Sequence, residues 1–201
     1  IKWLGQSGFL IDNGEKKIYI DPYNVSGNEE ADIVLITHPH YDHCSVEDIN
    51  KIVKDKTIII CPADAQSKIS RINKEIDLRI IDAGQTIEVE GIAVGGIPAY
   101  NQDKSFHPKS ERWLGYLVKL GADGMTVYHA GDTDMIPEMK QLSGKVKVAL
   151  LPVGGTYTMN AEEAAEAAAL IKPELAIPMH WGSIIGDEND AKKFVELCTT
   201  K

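Results

Sequence analysis

Apolar and polar residues alternate along the first part of the chain in a way that predicts strands. Residues 9–12 and 17–21 are two candidate strands, and Asn13-Gly14 between them is typical of a tight hairpin turn. Residues 31–37 form a nearly continuous apolar run of strand length, which predicts a strand covered on both faces. We therefore expect a sheet with at least one strand in the protein interior.

Helices are predicted where capping residues precede periodic apolar positions. Ser45 begins a short helix that extends to about residue 54, because its hydroxyl and the acidic residue Asp48 match a capping box. Asn160 and Glu163 mark the start of a helix that ends at residue 171, before Pro173. Further helices are expected at 63–73, 135–142 and about 187–197. Further strands are expected at 57–61, 78–81, 86–89, 92–95, 115–120, 125–129, 146–151 and 175–178, with a turn at 121–124.

The order of these elements predicts the fold class. Strands come first in meanders, and later in the chain strands alternate with helices. This order favours a mixed α/β sandwich with the sheets inside and the helices outside. With 201 residues, the simplest organisation is a single domain covering residues 1–201.

Composition narrows the class of protein. Hydrophobic residues at 43% and charged residues at 25% are ordinary globular values. The formal net charge of −9 argues against binding to nucleic acid, which requires a basic face. Because no apolar run of membrane-spanning length exists, we expect no membrane span. Three widely spaced cysteines without a CxxC motif predict free thiols and a cytoplasmic location, while the oligomeric state is not fixed by the sequence.

The segment HPHYDH at residues 38–43 follows the apolar run and carries the clearest chemistry. Residues two apart in an extended stretch point the same way, so His38 and His40 can present imidazoles to one ion. Asp42 and His43 follow where the chain turns toward a helix, and they can face a second point nearby. Imidazole and carboxylate donors suit zinc, manganese or iron. The alternative is a cluster of surface histidines, which the spacing makes the weaker interpretation.

Two later strand ends offer the further donors that such a site requires. Asp132 follows the strand at 125–129, and its two carboxylate oxygens can bind one cation each. His180 follows the strand at 175–178. Taken alone, Gly131-Asp132 suits an ordinary turn, and a single histidine is commonly structural. Together with the segment 38–43, both positions favour metal binding.

These segments resemble the metallo-β-lactamase superfamily of dinuclear metal hydrolases. The resemblance rests on WLGQSGFLID at residues 3–12, the HxHxDH segment, Gly131-Asp132-Thr133 and Pro178-Met179-His180, and it covers essentially the whole chain. The last two segments are similar to the branch that contains the ascorbate-6-phosphate lactonases and N-acylphosphatidylethanolamine-type phospholipase D. The resemblance implies a four-layer αββα fold and places Gln6 and Ser7 near the metals.

The resemblance also implies a ligand set. One metal is expected on His38 and His40, and a second on Asp42, His43 and His180, with Asp132 as the bridge between them. We therefore expect two divalent metal ions as cofactors. Zinc is the expected ion, and manganese is the alternative.

One segment departs from the family pattern. Related chains often place a third histidine of the first metal in Pro-Ala-x-His, whereas this chain has Pro98-Ala-Tyr-Asn101. An amide oxygen is a weaker zinc ligand than imidazole. His107, six residues later, is a candidate substitute, with an ordinary loop histidine as the alternative; His129 is expected to have a core or supporting role. Because the first site lacks this histidine, two alternatives stay open: manganese binds at the first site, or a metal binds at the second site alone.

The polar loop at 100–113 is longer than usual connections, which makes it a candidate cover for the site. Its basic side chains, Lys109 among them, are candidate contacts for a phosphate or carboxylate of an anionic substrate. A solvated loop with ordinary lysines stays open as the alternative.

The sequence thus predicts a metal-dependent hydrolase acting on a small molecule. Water bound to two cations loses a proton near neutral pH, and the metal-bound hydroxide attacks an ester, lactone, amide or phosphoester. Asp42 and Asp132 are the expected catalytic residues, with Asp42 orienting the nucleophile. One alternative is a non-catalytic metal-binding or sensing domain, which Asn101 favours. The other is a nuclease, which the acidic composition disfavours.

Overall fold

Twelve strands and four α-helices make up the computed structural model, which describes residues 1–27, 29–121 and 124–199. The chain divides into an N-terminal unit, Ile1–Asp82, and a C-terminal unit, Ala83–Lys201, and each unit contains one six-stranded sheet. The mixed α/β class with two sheets is therefore confirmed. Within the described ranges, no helix is long and apolar enough to cross a membrane. The turn expected at 121–124 includes Ala122 and Asp123, which lie outside the described residues.

The N-terminal unit places polar residues at one edge of a largely parallel sheet. Its strands, in order across the sheet, are β1 (Lys2–Gly5), β2 (Gly8–Asp12), β3 (Lys17–Ile20), β4 (Ala31–Leu35), β5 (Val53–Cys61) and β6 (Asp77–Ile80). The strands from β3 to β6 are parallel, and β1 to β3 are antiparallel. The parallel strands β3 and β4 have their carboxyl ends at the same edge of the sheet. Asp21, directly after β3, and the segment 36–43, directly after β4, therefore lie at this edge.

Apolar β-branched residues hold the N-terminal unit together. Helices α1 (Val46–Ile52) and α2 (Gln66–Ile69) belong to this unit, and the buried core includes Val34, Ile49 and Ile59. Ser45 caps α1 as expected, since its side chain accepts a hydrogen bond from the backbone N–H of Asp48. This cap fixes the point at which the chain leaves the polar edge and enters the helix.

The C-terminal unit has an antiparallel half and a parallel half. Its strands are β7 (Thr86–Val89), β8 (Ile92–Pro98), β9 (Leu114–Leu120), β10 (Thr126–His129), β11 (Val148–Pro152) and β12 (Leu175–Met179). Neighbours from β7 to β10 are antiparallel, and β10, β11 and β12 are parallel. Since β8, β10 and β12 run in the same direction, Asn101, Asp132 and His180 follow strands that end at one edge of this sheet.

The helices of the C-terminal unit are α3 (Ala161–Ile171) and α4 (Glu188–Thr199). The capping box predicted for α3 is present, because the Asn160 side chain accepts from Glu163 and the Glu163 side chain accepts from Asn160. The alanine-rich face of α3 is buried, and the residue that caps its C-terminus, Lys172, has a left-handed backbone. The helix predicted at 160–171 is confirmed within one residue.

Three predicted helices differ from the structure. The helix expected to reach residue 54 ends at Ile52, because Val53 already pairs with Ala31 as part of β5. The helix expected at 63–73 is a 3₁₀ turn, Ala63–Ala65, followed by α2, and the side chain of Asn50 binds the backbone N–H of Asn73. The helix expected at 135–142 is a 3₁₀ helix, Pro137–Leu142, because proline removes a backbone donor from a short segment.

Gly115 in β9 gives a test of how closely β9 and β10 approach. A Cβ atom there would lie 2.6 Å from the carbonyl oxygens of both His129 and Ala130, which are backbone atoms that cannot swing away. We expect Gly115→Ala to lower the free energy of unfolding by about 3 kcal/mol, measured by urea denaturation. Gly95→Ala in β8 is the matched control, because its Cβ would meet no atom closer than 3.5 Å. Equal stability of the two variants would contradict this packing.

Candidate metal centre

Four potential metal donors of the N-terminal unit lie within one tight turn after β4. His38, Asp42 and His43 are buried, and His40 is half-buried. The carbonyl oxygen of His40 accepts hydrogen bonds from the backbone N–H groups of His43 and Cys44, at 3.1 and 2.8 Å. The ring centroid of His38 lies 4.6 Å from that of His40 and 4.0 Å from that of His43. The predicted motif therefore forms one cluster of imidazoles and a carboxylate.

Asp21, at the end of β3, orients two of these histidines. Its Oδ2 atom lies 2.7 Å from Nδ1 of His43 and accepts a hydrogen bond from Oγ1 of Thr37. Since the Thr37 hydroxyl donates to Asp21, it accepts from Nδ1 of His38, at 2.9 Å. Both rings therefore carry their proton on Nδ1, which leaves the lone pair of Nε2 suitable for binding a cation. This fully buried carboxylate was not identified from the sequence.

Asp42 is held by a residue from the turn between β1 and β2. Nε2 of Gln6 donates to Oδ2 of Asp42 at 3.1 Å, and Gln6 is buried. The Gln6 backbone has a φ of 48°, and its carbonyl oxygen accepts from the indole N–H of Trp3. The tight turn thus places the Gln6 amide against the catalytic carboxylate predicted from the sequence.

The C-terminal unit brings together three donors that are far apart in the sequence. Oδ2 of Asp132 lies 3.2 Å from Nε2 of His107 and 3.1 Å from Nε2 of His180, and all three residues are buried. Asp132 follows β10, and His180 follows β12 directly, with a left-handed φ of 57°. His107 comes from the loop between β8 and β9. The candidate substitute histidine therefore lies beside the predicted bridging carboxylate.

The arrangement of donors and acceptors in both clusters suits divalent cations. His43 carries its proton on Nδ1, so the lone pair of Nε2 faces Oδ2 of Asp42 at 3.2 Å. Nδ1 of His107 faces the oxygens of Asn101 and Tyr157, which accept its proton, so Nε2 faces Asp132 as an acceptor too. Two acceptors at such distances repel one another unless a proton or a cation lies beside them.

Imidazole nitrogens and carboxylate oxygens are ligands for zinc, manganese and iron. Among the described residues, the side chains that belong to groups of donors capable of holding a metal ion are His38, His40, Asp42, His43, His107, Asp132 and His180.

The sequence also pointed to Lys109 and His129, and both side chains have protein partners in the structure. The Lys109 ammonium donates to Tyr100 and Glu138 at 3.1 and 3.0 Å, and these hydrogen bonds raise the pKa of Lys109. A contact between Lys109 and an anionic substrate stays a prediction. His129 is fully buried and accepts from the backbone N–H of Gly131. Burial raises the pKa of the Cys44 thiol to about 12, so this neighbour of His43 stays protonated at neutral pH.

Comparisons with known proteins identify the family to which this chain is similar. The model of the β-lactamase superfamily domain matches residues 1–180. A UPF0173 metal-dependent hydrolase of Thermococcus kodakarensis is 36% identical, and the match covers 97% of this chain and 91% of that protein. The crystal structure of a metal-dependent hydrolase from Parabacteroides distasonis has a TM-score of 0.83 at 30% identity, covering 97% of this chain and 86% of that one.

A second solved structure adds a named metal. The crystal structure of a zinc-dependent hydrolase of the metallo-β-lactamase superfamily from Thermotoga maritima has a TM-score of 0.65 at 26% identity, covering 98% of this chain and 84% of that one. The superfamily and fold class expected from the sequence are therefore confirmed, whereas the branch with the ascorbate-6-phosphate lactonases stays a prediction. Since the family match extends over nine-tenths of the sequence, the chain belongs to the metallo-β-lactamase superfamily and is a metal-dependent hydrolase.

Proposed function

We propose that this hydrolase cleaves an ester, lactone, amide or phosphoester of a small molecule at a centre for two divalent ions. The observation that carries the proposal is the shared orientation of His43 and His107, whose Nε2 atoms each face a carboxylate oxygen at 3.2 Å. Ions bound by such donors supply hydroxide at neutral pH, because coordination lowers the pKa of water to about 7. The acidic composition agrees with a small-molecule substrate rather than a nucleic acid.

We propose that the ligand set implied by the family resemblance, with His107 added, holds the two ions. His38, His40 and His107 would hold the first ion, and Asp42, His43 and His180 the second, with Asp132 shared between them. The family match supports this assignment, because residues 1–180 include every one of these donors. It also supports a single hydrolase domain over residues 1–201. Zinc is the proposed ion because three imidazoles suit it, with manganese as the alternative.

The residues of this chain divide the catalytic work in the proposed mechanism. Asp42 orients the attacking water and accepts its proton, while Gln6 restrains the carboxylate in one orientation. That proton passes to the leaving oxygen or nitrogen as its bond to carbon or phosphorus breaks, so that one water is consumed per bond. Asp21 and Thr37 keep the imidazoles of His38 and His43 in the tautomer that a cation requires.

A cytoplasmic location is part of the same proposal. Cys44, Cys61 and Cys198 form no disulfide in the described part of the chain, and thiols of this kind are usual in a reducing compartment.

Removal of metal tests the proposed function. We expect dialysis against a chelator to abolish hydrolysis, and two equivalents of zinc to restore it, because the donors supply two ligand sets. Elemental analysis would count the ions per chain, and a panel of chromogenic esters, lactones, anilides and phosphodiesters, followed by a metabolite screen, would detect turnover. Protein that binds two ions yet hydrolyses nothing in either assay would contradict the enzyme and favour a metal-binding or sensing domain. Full activity without metal would refute the centre itself.

A further inference from the structure

Asn101, where the family resemblance predicts a histidine, has hydrogen-bond partners at both ends of its side-chain amide. Its Oδ1 atom accepts from the backbone N–H of His107 and lies 3.0 Å from Nδ1 of the same residue. Its Nδ2 atom donates to Oδ1 of Asp134 at 3.0 Å and to the carbonyl oxygen of Tyr157 at 2.9 Å. A further bond joins the backbone N–H of Asn101 to the carbonyl oxygen of His107. Both ends of the amide are thus committed to protein groups.

The orientation of this amide is set by its surroundings. Asp134 is buried and also accepts hydrogen bonds from the backbone N–H of Gln102, at 2.8 Å, and from the ammonium of Lys104. The carboxylate can bind only the Nδ2 end of Asn101, because it offers no hydrogen. Oδ1 must therefore face His107, and Lys104 balances the negative charge that holds the amide in this orientation.

The amide orientation determines which nitrogen of His107 carries the proton. Nδ1 of His107 faces two oxygens, Oδ1 of Asn101 at 3.0 Å and the carbonyl oxygen of Tyr157 at 3.2 Å, and neither can donate. The proton therefore resides on Nδ1, and the lone pair of Nε2 lies on the side of Asp132. Trp113 meets the ring edge to face, with centroids 5.6 Å apart, and restrains its tilt.

We propose that Asn101 is a positioning residue that fixes the tautomer and direction of His107, and so prepares this histidine as the third imidazole of the first metal. The inference rests on the proposed function, which makes His107 a ligand. In this chain, position 101 would contribute to the metal through its neighbour rather than by direct ligation. His107 would then supply the imidazole that Asn101 lacks.

A double-mutant cycle tests this role. Zinc affinity would be measured by competition with a fluorescent chelator for the wild type, Asn101→Ala, His107→Ala and the double variant. We expect Asn101→Ala to weaken zinc binding by roughly 10- to 100-fold, as is usual when the partner of a ligating histidine is removed. The double variant should bind zinc no more weakly than His107→Ala, because Asn101 acts only through that ring.

Two control variants separate positioning from general destabilisation. Gln102→Ala removes a neighbouring amide that donates to the carbonyl oxygen of Met135, and Asn160→Ala removes the cap of α3. Both should retain wild-type zinc affinity, even though the second lowers stability by about 1 kcal/mol. Unchanged affinity in Asn101→Ala, or additive losses in the double variant, would overturn the positioning role. Unchanged affinity in His107→Ala would instead overturn the ligand assignment made under the proposed function.

The tautomer of His107 can also be measured in the wild-type protein, so this test does not depend on the folding of a variant. Long-range ¹H–¹⁵N correlation of the imidazole nitrogens, with and without zinc, reports which nitrogen of His107 carries hydrogen. We expect the proton on Nδ1 in both states, with the Nε2 signal shifting when zinc is added. A proton on Nε2 in the metal-free protein would contradict the role given to Asn101.

Discussion

Replacing Asp42 with alanine is expected to lower kcat/KM for hydrolysis by about a thousandfold and to weaken metal binding at the same time. The reason is that one carboxylate has two proposed duties, as a ligand and as the group that orients water and accepts its proton. The amide of Gln6 and Nε2 of His43 both lie against Oδ2 of Asp42, so its removal also leaves them without this partner. Hydrolysis rates and metal content should be measured on the same preparation.

The matched control for Asp42 is a carboxylate away from the metal donors. Asp77→Ala removes a half-exposed carboxylate of β6 that pairs with Arg79 at 2.7 Å. Such surface ion pairs contribute little to the free energy of unfolding. We expect wild-type activity and metal content from this variant. Full activity in Asp42→Ala would end the mechanism, whereas lost metal with residual turnover would restrict Asp42 to ligation.

Replacing Asp21 with asparagine is expected to weaken zinc binding by about two orders of magnitude, although Asp21 itself is not proposed as a ligand. Asparagine has nearly the same shape and tolerates the left-handed backbone at this position, where φ is 45°. With the backbone N–H of Thr37 bound to Oδ1, the new amide would direct hydrogens at His43 and at the Thr37 hydroxyl. Both His38 and His43 would then carry their proton on Nε2, where it blocks a cation.

Asp48 offers the matched control for Asp21, since it is also buried and accepts several hydrogen bonds. Its partners are the backbone N–H groups of Asn24 and Val25, together with Ser45 and Lys51. Asp48→Asn should therefore reduce stability in chemical denaturation without changing zinc affinity. If both variants lost zinc affinity to the same extent, the effect of Asp21 would be one of stability rather than of tautomer control.

Most of the fold, and the parts of the site carried by local patterns, were predictable from the sequence. The apolar run before His38 predicted β4, and the cap at Asn160 predicted α3, because both signals depend on neighbours in the chain. Tertiary contacts overruled local patterns elsewhere. Val53 joins β5 rather than α1, since pairing with Ala31 satisfies its backbone within the sheet.

The hydrogen-bonding partners of the candidate ligands could not be predicted from local patterns. Asp21 and Thr37 look like ordinary strand-end residues, and their roles appear only when β3 and β4 are placed side by side. The position of Asp21 at the end of a strand parallel to the one before His38 was an available signal. The amide oxygen of Asn101 indicates a weak ligand from the sequence alone. That this amide instead bonds to Asp134 and His107 depends on the folded loop.

Asp21 and His180 share a backbone conformation that side-chain-bearing residues rarely adopt, with φ values of 45° and 57°. Each such residue costs roughly 1–2 kcal/mol that glycine would avoid. Glycine at either place would relieve this strain but would remove an imidazole or a carboxylate, and at position 21 it would also leave buried donors of Thr37 and His43 without their acceptor. A laboratory evolution campaign on this enzyme therefore needs a turnover screen in every round, because a substitution that relaxes either backbone removes a side chain of the candidate metal centre.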